Sequence, residues 1–302
     1  MNATGGISLT AEVLASALPR IHEFRDKIVV IKYGGSVIEE KIYGDNILAD
    51  IVMLKLLGVH PVLVHGGGKA ITNKMREADI QPKFIDGLRV TDRRSVVIVD
   101  KVLNKIINPE IVHGIEQQHG KAIGISGKKV IGAKKMFHVT AAGKKVDIGF
   151  VGEITRVNKA PIISALKRGL IPVISPLGRG ANGQAFNVNA DVAAAKIATA
   201  LKAARLIFIS DVNGVLEYPE QPDSTIPKLI EVEVEPYIQA GVIYGGMLPK
   251  IRSALQALKD GVHAVKLIDG RISHAVLLDT LVEPSIGTEI LLEARPEPPA
   301  AK

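Results

Sequence analysis

The sequence predicts an α/β fold built on a mostly parallel sheet, and three observations predict it. Short β-branched runs alternate with stretches of helical periodicity, the runs are apolar throughout, and glycine-rich turns follow several of them directly. The strand-like runs are Ile28 to Ile31, Pro61 to Val64, Ala122 to Ile125, Ile171 to Ile174, Leu206 to Ile209 and Ala264 to Ile268. Strands covered by helices on both faces lose the in-and-out alternation of a half-exposed sheet, and these runs lack it. Between them, apolar residues recur three and four apart over Ile47 to Leu57, Ser95 to Ile107, Ala190 to Leu201 and Ile251 to Leu258, the spacing of helices with one buried face. The Lys-rich stretch from Val130 to Phe150 breaks the alternation and reads as antiparallel hairpins inserted into the frame, a lid or a substrate wall. The tail from Glu293 to Lys302, with three prolines, reads as loose.

With 302 residues, 47% of them hydrophobic, the chain can bury a large core as one α/β domain or as two lobes sharing a sheet. It has no cysteine, which excludes a disulfide framework, a thiolate metal site and a Cys nucleophile, and which fits a cytoplasmic location. No apolar run reaches the roughly 18 residues of a membrane span, and Met1 to Ser8 lacks the basic start of a secretory signal, so no membrane partner is expected. A net charge of +7 raises the question of nucleic acid, but only 4% of residues are aromatic and no nucleic-acid motif occurs. The pairs Lys128-Lys129, Lys134-Lys135 and Lys144-Lys145, set among Gly127, Gly132 and Gly143, make either a solvated hairpin face or a patch that draws in anionic substrates.

Lys32-Tyr33-Gly34-Gly35 ends the first run, which puts a lysine and two glycines at the carboxyl edge of a sheet, where open α/β sheets bind ligands. The second run ends in His65-Gly66-Gly67-Gly68 and leads into a helix. Glycines let backbone approach a phosphate, and two such turns can bracket one phosphoryl group. His65 reads either as a base or, better, as a residue that fixes its turn by hydrogen bonding. The Walker pattern is absent and no G-x-G-x-x-G follows either strand, so neither a P-loop enzyme nor a dinucleotide fold is expected. Gly87-Leu88-Arg89-Val90-Thr91-Asp92 places a guanidinium before a helix, suited to clamp a carboxylate through two parallel hydrogen bonds. In Asn187-Val188-Asn189-Ala190-Asp191, the alternation directs two amides and a carboxylate to one side if the run is extended; otherwise it is an elaborate helix cap. Ser210-Asp211-Val212-Asn213-Gly214 closes a further strand and suits a nucleotide turn. Gly245 to Lys250 opens a helix with a lysine that opposes the helix dipole, which points to an anionic ligand.

Taken in order, IKYGG, VHGGGKAI, FIDGLRVTD, VDIGFVGEI, FNVNAD, ISDVNGVL, GGMLPK and IDGRISHAVLLD resemble the amino-acid kinase family from about Ile28 to Ile290. The glycine turns are similar to those of carbamate, aspartate and uridylate kinases, whereas FIDGLRVTD and FNVNAD resemble the branch that phosphorylates N-acetyl-L-glutamate in arginine biosynthesis. The resemblance implies an open αβα sandwich with a mostly parallel central sheet and inserted β-hairpins, a helical arm over residues 1–25, an acyl-substrate lobe over 26–194 and a nucleotide lobe over 195–302. It implies ATP as phosphoryl donor, with Mg2+ held mainly by the ATP phosphates and no protein metal site. It also implies that Lys32 and Lys250 flank the transferring phosphoryl group while Asp191 holds both lysines. Gly35 and Gly67 donate amides to phosphoryl oxygens. Gly67, Gly68, Arg89, Asn187 and Asn189 grip the acyl substrate, and Ser210, Asp211, Gly214 and Met247 line the nucleotide site. Ser36 to Glu40 and Arg179 depart from the family pattern.

Leu9 to Phe24 reads as a helix with Thr10 as its cap, Leu14, Leu18, Ile21 and Phe24 on one face, and a kink at Pro19. It either packs on its own domain or serves as an arm for another subunit. It resembles the kinked helix of arginine-inhibited members of the family, in which such helices interlace dimers into a hexameric ring, and this implies a homo-hexamer with L-arginine as feedback inhibitor. The corresponding arginine region here is His274 through Gly287, where Asp279 stands in place of glutamate and Ser285 in place of glycine. Two rival readings stay open: a kinase of this fold acting on another acid, and a non-catalytic metabolite sensor.

Overall fold

In a computed structural model of the chain, residue 12 and residues 15–38, 40–140, 143–218, 220–221 and 223–293 are described. The chain passes in order through α1 (Leu18–Phe24), β1 (Ile28–Tyr33), α2 (Lys41–Leu56), β2 (His60–His65), α3 (Gly68–Glu77), β3 (Lys83–Ile85), β4 (Leu88–Val90), α4 (Arg93–Val102), α5 (Asn108–Gln117), β5 (Ala122–Ile125), β6 (Ile131–Val139), β7 (Lys145–Val157) and α6 (Ala160–Lys167). It continues through β8 (Ile171–Ile174), β9 (Leu177–Arg179), β10 (Ala185–Asn187), α7 (Ala190–Leu201), β11 (Arg205–Ser210), β12 (Lys228–Ile230), α8 (Glu231–Gln239), α9 (Met247–Lys259), β13 (Val265–Asp269), α10 (Ala275–Leu281) and β14 (Thr288–Leu291).

All six apolar runs of the sequence become neighbours in one eight-stranded sheet, ordered β12-β14-β13-β11-β1-β2-β8-β5. Its pairings are parallel except for β13 with β14. The absence of alternation has the predicted cause. Val30, Val62, Val64 and Phe208 face one core with α7 and α9, while Val29, Ile31, Leu63 and Ile207 face a second core with α2, α4 and α5. These side chains are 0% exposed, and each such burial stabilises the fold by about 1.5–3 kcal/mol before conformational entropy is subtracted. The chain is therefore an αβα sandwich around a mostly parallel sheet. A division at residue 194 falls inside α7, which packs against β1 and β11 alike.

The Lys-rich insertion forms one long antiparallel hairpin, β6 with β7, with register shifts at Gly132/Ala133 and Lys135/Phe137. Strands β9 and β10 close it into a small barrel, and β3 pairs with β4 in a separate hairpin. The helical pattern predicted from Ser95 to Ile107 is α4 followed by a π turn over Leu103–Ile107. Pro109 follows in the first turn of α5; it cannot donate to the carbonyl four residues back, and the wider turn accommodates that loss. At the far side, Asp50 of α2 is fully buried and accepts from Val276 N at 3.1 Å and from Leu277 N at 3.4 Å, capping α10 from outside its own sequence.

The arm is described from residue 12 onward in part; Leu9, Thr10 and Leu14 lie outside the described residues. A turn at Ala17 precedes α1, and Pro19 sits in the first turn of α1, where its missing N–H removes no helical bond. Of the predicted apolar face, Phe24 is buried on its own chain, Ile21 is half-buried and Leu18 is 53% exposed. Phe24 lies between two guanidinium groups, Arg20 at 5.0 Å and Arg205 at 4.7 Å from the ring centre. The residues after 293 lie outside the described residues. Among the described residues no helix is long and apolar enough to cross a membrane.

Candidate active site

Strands β1 and β2 run parallel and in register, so their carboxyl ends place the two glycine turns side by side. Gly66 N donates to Tyr33 O at 2.8 Å and ties one turn to the other. Gly34 is required by its neighbour, because a Cβ there would lie 2.9 Å from Lys32 Nζ. Gly35 opens the short 3-10 turn after β1; the side chains of Ser36 and Glu39 lie outside the described residues. At Gly67, which precedes α3, a Cβ would meet Ile107 Cδ1 at 2.5 Å and Leu103 Cδ2 at 2.8 Å, so the π turn packs directly on this glycine. Gly68 faces open space. Its helix start offers unpaired amides to an anion.

Three predicted residues from distant parts of the chain meet in one cluster. Lys32 Nζ lies 3.0 Å from Asp191 Oδ1 and Lys250 Nζ 3.2 Å from Asp191 Oδ2. The Lys250 contact is an aligned hydrogen bond, whereas Asp191 Oδ1 meets Lys32 as an ion pair without that alignment. Burial alone pushes the Asp191 carboxyl up; Lys32 and then Lys250 more than offset it and hold it below the usual carboxylate range. Asp191 sits in the first turn of α7, where the helix dipole favours an anion. Lys250 sits in the first turn of α9, where the dipole disfavours a cation, and Asp191 supplies the compensating charge.

The run around Asp191 is only partly extended. Asn187 ends β10, Asn189 caps α7 and Asp191 is already helical, so the three do not form one alternating row. Asn189 Oδ1 accepts from Asp191 N at 2.8 Å and Val192 N at 3.1 Å, which makes the cap reading right for this residue and leaves its amide NH2 for a ligand. Asn187 Nδ2 donates to Thr91 Oγ1 at 3.2 Å, and Thr91 Oγ1 donates to Arg89 O at 2.9 Å. Thr91 is fully buried; its role as the link between Arg89 and Asn187 was not singled out from sequence, although it lies inside the FIDGLRVTD run. Arg89 Nη2 donates to Gly68 O and to Thr72 Oγ1, both at 2.8 Å, with its guanidinium 4.7 Å from the Phe84 ring centre. Burial lowers its pKa, leaving it a cation at neutral pH.

Ser210, Asp211, Met247 and Lys250 line a cleft of about 360 Å3 together with Val212, Leu216, Val242, Tyr244 and Gly246. Met247 was expected from sequence, whereas Val212, Leu216, Val242 and Tyr244 were not, since only folding brings these separate segments together. Gly214 does not line this cleft. It has φ +71° and lies so close to Thr288 that a Cβ would be 2.3 Å from Oγ1, so it shapes the turn. Among the described residues no group of three His, Cys, Asp or Glu side chains is placed to hold a metal ion.

His65 is fully buried beneath the second glycine turn. Its Nδ1 lies 2.9 Å from Gly66 O and its Nε2 3.2 Å from Asn108 Nδ2, which also donates to Val173 O at 2.9 Å. A carbonyl only accepts, so Nδ1 carries the proton and Nε2 accepts from the amide, which defines a neutral imidazole. Burial pushes it down to about 4, against the opposing bond to Gly66. Unfolded histidine titrates near 6.5, so the unfolded chain binds a proton that the native chain refuses between about pH 6.5 and pH 4. The stability that depends on neutral His65 is therefore present above pH 6.5 and is lost as pH falls, on the order of 3 kcal/mol in all. Denaturant titrations of wild type and His65→Gln over that range should show a flatter pH dependence in the variant; equal slopes would contradict a buried neutral imidazole.

Comparison with known proteins agrees with this geometry. The amino acid kinase family model matches residues 27–269. A protein of Aquifex aeolicus named acetylglutamate kinase is 43% identical over 294 residues, covering 94% of this chain and 98% of its own. In structure, N-acetylglutamate synthase from Neisseria gonorrhoeae, solved with coenzyme A and N-acetyl-glutamate, superposes with a TM-score of 0.82 at 24% identity over 94% of this chain. The same synthase solved with coenzyme A and L-arginine gives 0.79, again at 24% identity and 94% coverage. The chain spans 64% and 66% of the synthase's length in the two structures, so that likeness speaks to fold alone. The family match extends over most of the sheet and both glycine turns, and the chain belongs to the amino acid kinase family.

Proposed function

We propose that the chain transfers the γ-phosphoryl group of ATP to the γ-carboxylate of N-acetyl-L-glutamate, giving N-acetyl-L-glutamyl 5-phosphate and ADP in the second step of arginine biosynthesis. The observation that carries this reading is the pairing of Lys32 and Lys250 across Asp191, beside the glycine turns on one side and the Ser210 cleft on the other. ATP enters the cleft formed by Ser210, Asp211 and Met247, with Gly214 shaping the turn, and Mg2+ travels on its phosphates. Arg89 and Asn187 take the substrate's α-carboxylate, Asn189 adds an amide donor, and the γ-carboxylate rests near Gly67 and Gly68. One carboxylate oxygen attacks the γ-phosphorus, the bond to the β,γ-bridging oxygen breaks, and its electron pair leaves with ADP. The attacking carboxylate is already ionised at neutral pH, so no general base is needed. What the protein supplies is position and charge: amides of Gly35 and Gly67 and the two ammonium groups meet negative charge on the transferring oxygens. On this reading residues 26–194 carry the acyl substrate and residues 195–302 the nucleotide, and the two halves meet along α7.

A coupled assay of ADP release should show turnover with N-acetylglutamate and far less with glutamate, aspartate or carbamate. No turnover with any of them favours the sensor reading. Lys32→Ala and Lys250→Ala should each lower kcat by about 10³-fold with modest effect on ATP binding, since each removes charge used mainly in the transition state. Near-normal turnover in either variant removes that lysine from the role.

Arg89→Lys keeps a charge but loses the planar fork, so it should raise KM for the acyl substrate while the ATP constant holds. A change confined to the ATP constant would move Arg89 to the nucleotide side.

Regulation by arginine through residues 1–25, within a hexamer of dimers, is the second part of this reading. The exposed Leu18 beside a buried Phe24 supports it, because the arm has apolar surface left over after packing on its own chain. Asp279 is fully buried and already paired with Arg205 Nη1 at 3.0 Å, so a ligand guanidinium would have to share it, and a weakened response is expected. Mass and activity with and without arginine, for the full chain and a form lacking residues 1–25, decide the matter. The truncated form should be an active dimer that arginine inhibits less; a truncated hexamer inhibited as before would reduce the arm to a packed helix.

A further inference from the structure

A second cleft, of about 820 Å3, opens on the small barrel and shares no lining residue with the nucleotide cleft or with the Arg89 and Asn187 group. Strand register builds its floor. Gly132 of β6 pairs with Arg156 of β7 on one side and with Arg179 of β9 on the other. Residues paired across neighbouring strands project to the same face, about 5 Å apart. Two arginines therefore flank one glycine. A Cβ at position 132 would lie 2.6 Å from Arg156 Cγ, so the Arg156 stem occupies the space that a side chain would fill.

Lys128, Lys129 and Lys134 complete the cationic lining, which contains no carboxylate and no aromatic ring. Lys128 is neutralised by Asp100 and Lys134 by Glu153. No ion pair engages Lys129, Arg156 or Arg179 among the described residues. Three uncompensated cations around one concavity repel one another, and a bound anion relieves that repulsion. We propose that this cleft is a second ligand site, for a compact polyvalent oxyanion bearing two or more phosphoryl or carboxylate groups. Guanidinium forks pair bidentately with either group, and two forks flanking one glycine suit an anion with two of them. The missing aromatics disfavour a nucleic acid, whose bases would find nothing to stack on.

Calorimetric titration of the full chain with pyrophosphate and, separately, with citrate tests the site. At least one of the two should bind once per chain, both in wild type saturated with a non-hydrolysable ATP analogue and in Lys32→Ala/Lys250→Ala. Binding of pyrophosphate alone identifies a phosphoryl ligand, and of citrate alone a polycarboxylate. Arg156→Ala/Arg179→Ala removes only exposed side chains and should weaken binding at least about tenfold. Gly132→Val keeps every cation but displaces the Arg156 stem from its place over residue 132, and should weaken binding as well, with far-UV circular dichroism confirming its fold. The proposal is overturned if neither anion binds wild type, if binding disappears with the ATP analogue or with Lys32→Ala/Lys250→Ala, or if the arginine variant binds as tightly as wild type.

Discussion

One buried carboxylate sets the charge of the site and ties its parts together. Asp191 reaches Lys32 at the end of β1 and Lys250 at the start of α9, so it joins the central strand to two helices. Without it, two ammonium groups would face each other at close range in a poorly solvated place. With it, the trio carries one net positive charge beside the first glycine turn, where a Cβ at Gly34 would lie 2.9 Å from Lys32 Nζ. Buried ion pairs seldom raise stability beyond what apolar side chains of similar volume would give. Lys250 moreover works against its own helix dipole. Both costs make sense on the proposed reading, in which the site meets negative charge on a phosphoryl group, and neither makes sense as packing.

Much of the fold was legible because burial on both faces erases alternation. Val29, Val30 and Ile31 point to opposite cores and are equally apolar, so β1 could be read from composition alone. Strands β12 and β14 could not, because three or four residues such as Lys228–Ile230 carry too little pattern, and only pairing with each other and with β13 makes them strands. The register of the inserted hairpin was equally hidden. Its first shift, at Gly132/Ala133, lies where β9 pairs with β6 from the other side, while its second, at Lys135/Phe137, lies beyond β9.

The site divides along the same line. Residues whose chemistry follows from strand ends and helix starts, Lys32, Asp191 and Lys250, could be proposed from sequence, and the fold brings both ammonium groups within 3.2 Å of the Asp191 carboxylate. The residues that were missed act through contacts made across the chain. Thr91 matters because Asn187 finds it from another strand, and Leu216, Val242 and Tyr244 matter because the turn after β11 and the segment leading into α9 converge. Asn189 illustrates the limit in the other direction: one oxygen satisfies two helix amides, so a polar residue in a suggestive run is partly explained by local capping.

Strand β11 brings the arm and the Ser210 cleft into one element. It begins at Arg205, which holds Asp279 and lies under Phe24, and it ends at Ser210 in that cleft. Six residues of extended chain separate these points by roughly 17 Å. The strand is flanked by β1 and β13 and buried as far as Ile209. Such a strand is close-packed and moves with the sheet rather than flexing within it. Any influence of the arm on the Ser210 cleft must therefore arise from a change in how α1 and α10 dock on the sheet, not from stretching along β11. Two of the contacts that fix that docking, Phe24 between two guanidinium groups and the Arg205 pair with Asp279, involve the same arginine. Undocking the arm would strip the Phe24 ring from one face of Arg205, while Asp279 keeps Lys266 at 3.6 Å as a second cation. The arm is thus a cover for one face of the arginine that holds Asp279.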